Sequence, residues 1–187
     1  MFALRAGPPQ IVTFCAERKK RQFAPAHAAG VRHTNMASPE KKHLENILKP
    51  FMKSKGFKKK GGTWCKDVGA FLQIVNIQGS SYSKSFYINL AVYIKALGNS
   101  EWPAEYDCHV RIRLNSFCLE KGVTELLNYE DFGMDEPPRE KLLEILECDG
   151  LPWLDNCSSY DGAKREYVLP NRVMAKHQRE ALDEYFA

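Results

Sequence analysis

No two of the six cysteines (Cys15, Cys65, Cys108, Cys118, Cys148, Cys157) form a C-x-x-C pair. Zinc and redox motifs need thiols spaced closely enough to converge from one turn, so the chain carries neither motif. No run of about 18 apolar residues exists, which leaves no candidate for a transmembrane helix. A secretory signal needs a compact apolar core after a short basic start. Here Ile11 to Ala16 is too short and the basic cluster follows it, the wrong order for export. The G-x-S-x-G spacing that exposes a nucleophile is missing around Gly79-Ser80-Ser81, and so is the lysine-bearing glycine loop that cradles phosphates. Without an export signal, the cysteines are expected to be reduced, buried thiols in a cytoplasmic protein.

What is present is ordinary globular composition. Of 187 residues, 44% are hydrophobic and 27% charged, which excludes global disorder. The length suits one domain with enough apolar surface to fold without disulfides. Charge divides the chain. Residues 1–35 hold six basic side chains (Arg5, Arg18, Lys19, Lys20, Arg21, Arg32) against Glu17, so totals of 27 and 23 leave 21 basic and 22 acidic side chains in the other 152 residues. The formal +4 therefore belongs to the N-terminal stretch, and the remainder has no net basic signature for nucleic acid. That stretch is rich in Ala, Pro, Arg and Gly and follows neither a helical nor a strand period. Residues 1–37 are expected to be a disordered basic extension, and residues 38–187 a single domain.

Within the domain, Ser38 is placed to cap a helix, with Pro39 at its first position and Glu40 in its first turn. Leu44, Ile47, Leu48 and Phe51 follow at helical spacing, Pro50 should kink or split the last turn, and Gly56 is a natural stop. Phe57–Lys60 and Thr63–Lys66 flank Gly61-Gly62, a hairpin signal. Phe71–Ile77 reads as a strand with polar breaks at Gln73 and Asn76. Phe86–Ile94 alternates clearly: Phe86, Ile88, Leu90, Val92 and Ile94 on one side, Tyr87, Asn89, Ala91 and Tyr93 on the other. Cys108–Leu114 alternates again, with His109, Arg111 and Arg113 opposite Cys108, Val110, Ile112 and Leu114. A helix is expected after Pro137-Pro138, ending near Asp149-Gly150. A short turn at Leu151–Asn156, a loop at Tyr160–Gly162 and a last helix from Pro170 carrying Met174 and His177 complete the reading. Strands grouped between helices predict an α+β fold, an antiparallel sheet of four or five strands packed by N- and C-terminal helices.

Three pieces of the domain carry a resemblance. An amphipathic helix ends in Lys55-Gly56-Phe57-Lys58-Lys59-Lys60-Gly61. The aromatic Trp64 follows, and Ile74–Ser80 then leads into Phe86-Tyr87-Ile88-Asn89-Leu90. With Leu151-Pro152-Trp153-Leu154, these resemble the bacterial family known as domain of unknown function 4304. Gly79 departs from the longer polar side chain expected between Gln78 and Ser80. The resemblance implies a likeness over about two thirds of the chain from about Ser38, and a cytosolic bacterial setting. It implies no catalytic residues.

Two surfaces stand out. If the strands at Phe86–Ile94 and Cys108–Leu114 are neighbours, Tyr87, Asn89 and Tyr93 lie beside His109, Arg111 and Arg113. Arginines with aromatic and amide neighbours suit a carboxylate, a phosphate or an acidic protein partner. The bland alternative is the polar side of a one-sided sheet. His109 as a general base would need a substrate within reach and a group orienting its ring. The second surface is the lysine hairpin. Lys58, Lys59 and Lys60 beside Trp64 suit phosphates and a stacked base, or simply protect an edge strand from unwanted pairing. The acids Glu130, Asp131, Asp135 and Glu136 match no calcium loop, and no metal site is expected.

The reading favoured by these residues is a non-enzymatic protein-recognition module, of the kind immunity and antitoxin partners are, with no cofactor and no membrane contact. The alternatives are polyanion or nucleic-acid binding through Lys58, Lys59, Lys60 and Trp64, and a small-molecule enzyme using His109 with Arg111 and Arg113.

Overall fold

Ser38 caps the first helix: its hydroxyl accepts from the backbone N–H of Lys41 at 3.2 Å. The computed structural model describes residues 38–134, 137–167 and 176–187. The expected extension over 1–37, the acids Asp135 and Glu136, the helix start at Pro170 with Met174, and the side chain of His177 lie outside the described residues.

Helix α1 (Pro39–Ser54) buries Leu44, Leu48 and Met52. It continues as one helix through Pro50. Pro50 removes the hydrogen bond to the carbonyl of Asn46, and both residues are exposed, which keeps the loss on the solvent side of the helix. Gly56, at φ +85°, ends the helix. Its N–H donates to the carbonyl of Lys53, and that of Phe57 to the carbonyl of Met52. This is the paired C-terminal closure of a Schellman motif, sealed by the buried side chains of Phe57 and Met52.

The next four strands follow one another directly: β1 (Lys58–Lys60), β2 (Thr63–Asp67), β3 (Phe71–Gly79) and β4 (Phe86–Ile94). After a longer connection comes β5 (Val110–Arg113). Every neighbouring pair is antiparallel, in the order β1-β2-β3-β4-β5. The fold is α+β. The hairpin at Gly61-Gly62 forms with Lys60 opposite Thr63, and Gly61 takes φ +60°, which a two-residue hairpin turn needs.

One face of the sheet is covered by helices. Val75, Ile77, Ile88, Leu90 and Ile94 pack there against Leu44 and Leu48 of α1 and against Leu142, Leu146 and Leu154 further along the chain. The main core also takes Leu114, which opens a short helix α2 (Leu114–Phe117), and Val123 and Leu126 of α3 (Val123–Leu126). Leu114 is thus a helical residue, and the last strand is shorter than its alternation predicts.

The later helices depart most from the sequence expectation. Helix α4 (Lys141–Ile145) does not stop at Asp149-Gly150. It passes through a π-helical turn, Leu146–Gly150, into α5 (Leu151–Cys157). Gly150 has φ −67° and ψ −49°, ordinary helix. A side chain there would lie 3.1 Å from Leu146 and 3.4 Å from Leu90, so the glycine serves close packing on β4 rather than a stop. The π turn relaxes the helix ladder beside Pro152, which has no N–H to contribute.

Tyr160–Gly162, expected as a loop, is the first turn of α6 (Tyr160–Tyr167). Ser159 caps it, accepting from the N–H of Gly162 at 3.1 Å. Helix α7 (Lys176–Phe186) returns Leu182 and Phe186 to the main core. No helix among the described residues is long and apolar enough to cross a membrane.

Candidate functional site

The sheet's second face has two halves. Toward one side, Cys65, Leu72, Ile74, Ala91, Tyr93 and Cys108 form a small second core under Trp102. The cover is the segment joining β4 to β5, which folds back over the strands it connects. Toward the other side the same strands turn polar: Thr63, Asn76, Gln78, Asn89 and Arg113. An open groove of about 1060 Å³ lies over this half, walled by Glu105 and Tyr106 and reached by Gln178 of α7.

The polar half is organised by its own hydrogen bonds. Asn76 donates through Nδ2 to Thr63 Oγ1 at 2.8 Å, and Asn89 donates through Nδ2 to Gln78 Oε1 at 3.0 Å. These bonds hold the amides in one orientation, and Asn76, Gln78 and Asn89 all line the groove, with Asn89 only 2% exposed. The Arg113 guanidinium lies 4.4 Å from the centroid of the Tyr87 ring, stacked yet exposed. Arg111 faces Glu105 at 3.5 Å.

The strands at Phe86–Ile94 and Val110–Arg113 are indeed neighbours, with Asn89 opposite Arg113 and Ala91 opposite Arg111. The structure nevertheless separates the six residues picked out on this face. Tyr87, Asn89, Arg111 and Arg113 belong to the open half. Tyr93 and His109 are 5% and 6% exposed, with their rings 4.8 Å apart; Tyr93 sits in the covered half, and His109 lies at its border, where it also lines the groove.

His109 is not placed as a base. Its Nδ1 accepts from the backbone N–H of Ile94 at 2.9 Å, so the neutral ring carries its proton on Nε2. Burial pushes its pKa down to about 4, because charging a desolvated imidazole is unfavourable. Cys108 was expected opposite His109 by alternation. It instead joins the small core on the same face, because the strand begins only at Val110. Its thiol donates to the carbonyl of Ala104 at 3.4 Å. Burial pushes Cys108 upward and raises Cys65 to about 11, so both are neutral thiols at pH 7.

On the lysine hairpin, Trp64 is 1% exposed, buried in the main core, and its ring is not available to stack on a base. Lys59 bonds Glu45 of α1 at 2.9 Å and lies 5.3 Å from the Trp64 centroid. It fastens the hairpin to the helix. Lys58 and Lys60 point to the second face, opposite Cys65 and Thr63. A smaller hollow of about 550 Å³ beside Lys49, Lys53 and Trp64 borders the hairpin. In the acidic stretch, Glu130 accepts from the backbone N–H of Lys84 at 2.9 Å and so ties two loops together. Among the described residues no three His, Cys, Asp or Glu side chains gather as metal ligands would.

Sequence reasoning did not assign Thr63, Asn76, Gln78, Glu105, Tyr106 or Gln178 to the groove. Strand alternation puts the first three on the second face, but only the register across β2, β3 and β4 brings them together. Glu105, Tyr106 and Gln178 come from a loop and a distant helix and carry no signal.

No curated protein and no solved structure matches the chain. The family model described as domain of unknown function, DUF4304, matches residues 48–156, from the second half of α1 to near the end of α5. The match begins later than the expected Ser38. The chain belongs to the DUF4304 family.

Proposed function

We propose that this chain is a protein-recognition module that binds its partner in the groove on the open half of the second face. The observation that carries the reading is the groove floor. Prealigned amides and an exposed arginine stacked on Tyr87 lie side by side over about 1060 Å³. Such a floor supplies donors and acceptors for a polypeptide backbone and one strong carboxylate receptor. It acts by binding, as immunity and antitoxin partners do, and the free thiols suit a reducing cytoplasm.

The catalytic alternative is weakened by His109, whose acceptor nitrogen already serves the Ile94 N–H. The hairpin alternative is weakened by the buried Trp64 and the paired Lys59.

The test is affinity capture from host lysate with nuclease present and at moderate salt, comparing wild type, Arg113→Glu and the Lys58→Gln/Lys59→Gln pair. The reading expects one protein retained by wild type and by the lysine pair and lost with Arg113→Glu. Capture unaffected by Arg113→Glu, or recovery of nucleic acid alone, overturns it.

A further inference from the structure

The strand register places Lys60, Thr63, Asn76, Asn89 and Arg113 in a single line across all five strands. Each is directly opposite the next, and directly opposite residues project from the same face of a sheet. The line is therefore neutral and hydrogen-bonding in the middle and cationic at both ends. None of the ion pairs among the described residues involves Lys60 or Arg113, and both are exposed.

The neighbouring line, Lys58, Cys65, Ile74, Ala91 and Arg111, has the same cationic ends. It is closed, however. Its centre is buried in the small second core, and its arginine faces Glu105. Of these two lines, only the one from Lys60 to Arg113 is both open and electrostatically incomplete.

Resting on the recognition reading above, we infer that the partner presents an extended acidic segment that crosses the strands along this line, with one carboxylate on Lys60 and another on Arg113. Four strand spacings of about 4.8 Å put the two ends about 19 Å apart. An extended chain rises about 3.3 Å per residue, so roughly six residues span that distance. Side chains six apart in an extended chain point the same way. Two acids at positions i and i+6 therefore both face the sheet. The residues at i+2 and i+4 fall nearest Thr63 and Asn89 in the middle of the line, whose hydroxyl and amide favour small or polar side chains there.

The same geometry speaks against a nucleic-acid strand. Its phosphates repeat along the whole backbone, whereas the middle of this line offers only neutral groups.

The experiment pans a random dodecapeptide display library on the full chain. The selected peptide is then made synthetically, and its affinity is measured for wild type, Lys60→Gln, Arg113→Gln, Gln78→Ala and the distant control Lys84→Gln, with a 20-nucleotide thymidine strand as the competing probe. The inference expects selected peptides with two acids six residues apart. Replacing either acid by its amide, or Lys60 or Arg113 by Gln, should weaken binding about tenfold. Arg113→Glu should regain affinity for a peptide whose matching acid is Lys. Melting temperatures of the exposed-site variants should stay at the wild-type value, separating lost binding from lost fold. Selected peptides without paired acids that still depend on Gln78 would overturn the acidic clamp and leave the recognition reading standing. Failure to select any peptide would overturn both. Binding of the thymidine strand through Lys60 and Arg113 would replace the peptide by a nucleic acid.

Discussion

The two faces of the sheet use the same strands for opposite ends. On the helix-covered face, Ile88, Leu90, Val92 and Ile94 of β4 are all 0% exposed. Their alternate neighbours on the second face divide into a covered half around Ala91 and Tyr93 and an open half around Asn89 and Tyr87. The difference lies in side-chain chemistry along one strand. Where the residues are apolar, the β4–β5 connection can cover them at a gain in free energy. Where they are amides, a cover would have to satisfy every donor and acceptor, and the face stays open. Stability is concentrated on the first face, and a surface suited to recognition remains on the second.

That contrast can be broken first where it is steepest. Leu90→Ala should lower unfolding free energy by about 2–5 kcal/mol, measured by urea titration. A loss under about 1 kcal/mol would mean that the helix-covered face is not the main source of stability.

A second prediction probes the covered half. His109 has its pKa lowered to about 4 in the folded protein against an ordinary value near 6.5. At pH above 6.5 both folded and unfolded states hold it neutral, and its stabilising contribution is complete. As pH falls from about 6.5 to 4 the unfolded state takes up the proton first. Stability should fall by about 3 kcal/mol from this group. The measurement is unfolding free energy against pH for wild type and His109→Gln, and the difference between the two curves should change only within that window.

Next is the clamp between β3 and α5. Gln73 is 1% exposed on the helix-covered side and donates to Asp155 Oδ1 at 2.8 Å and to Ser158 Oγ at 3.2 Å. Gln73→Ala should cost about 1–3 kcal/mol, read from the denaturation midpoint. Gln73→Glu should cost more, by setting a carboxylate against Asp155.

The smallest effect sharpens the comparison most. Arg113→Gln on the open half should change stability by less than about 0.5 kcal/mol while weakening partner binding about tenfold. A large stability loss would make Arg113 a structural residue and remove the distinction between the halves.

Legibility in the sequence followed the range of the interactions. The capped start of α1, its glycine stop and the Gly61-Gly62 hairpin depend on residues within a turn of one another, and all three form as their spacing predicts. The alternation of β4 was also plain, because nine residues keep one period. The end of α4 was misread because a glycine after an aspartate looks like a stop. Only the packing of Gly150 against Leu90 and Leu146 shows why it is helical. Cys108 was misplaced because alternation was extended two residues before the strand begins.

The sequence by itself determined the α+β class, the Gly61-Gly62 hairpin and the two sides of β4, because local periodicity and turn chemistry govern these. Only the tertiary structure decided which half of the second face is covered, that His109 is locked to the Ile94 N–H, that Trp64 is core, and that Lys60, Thr63, Asn76, Asn89 and Arg113 form one line. Those facts depend on where a loop and distant helices come to rest and on register accumulated across five strands, and neither is encoded in the neighbours of any single residue.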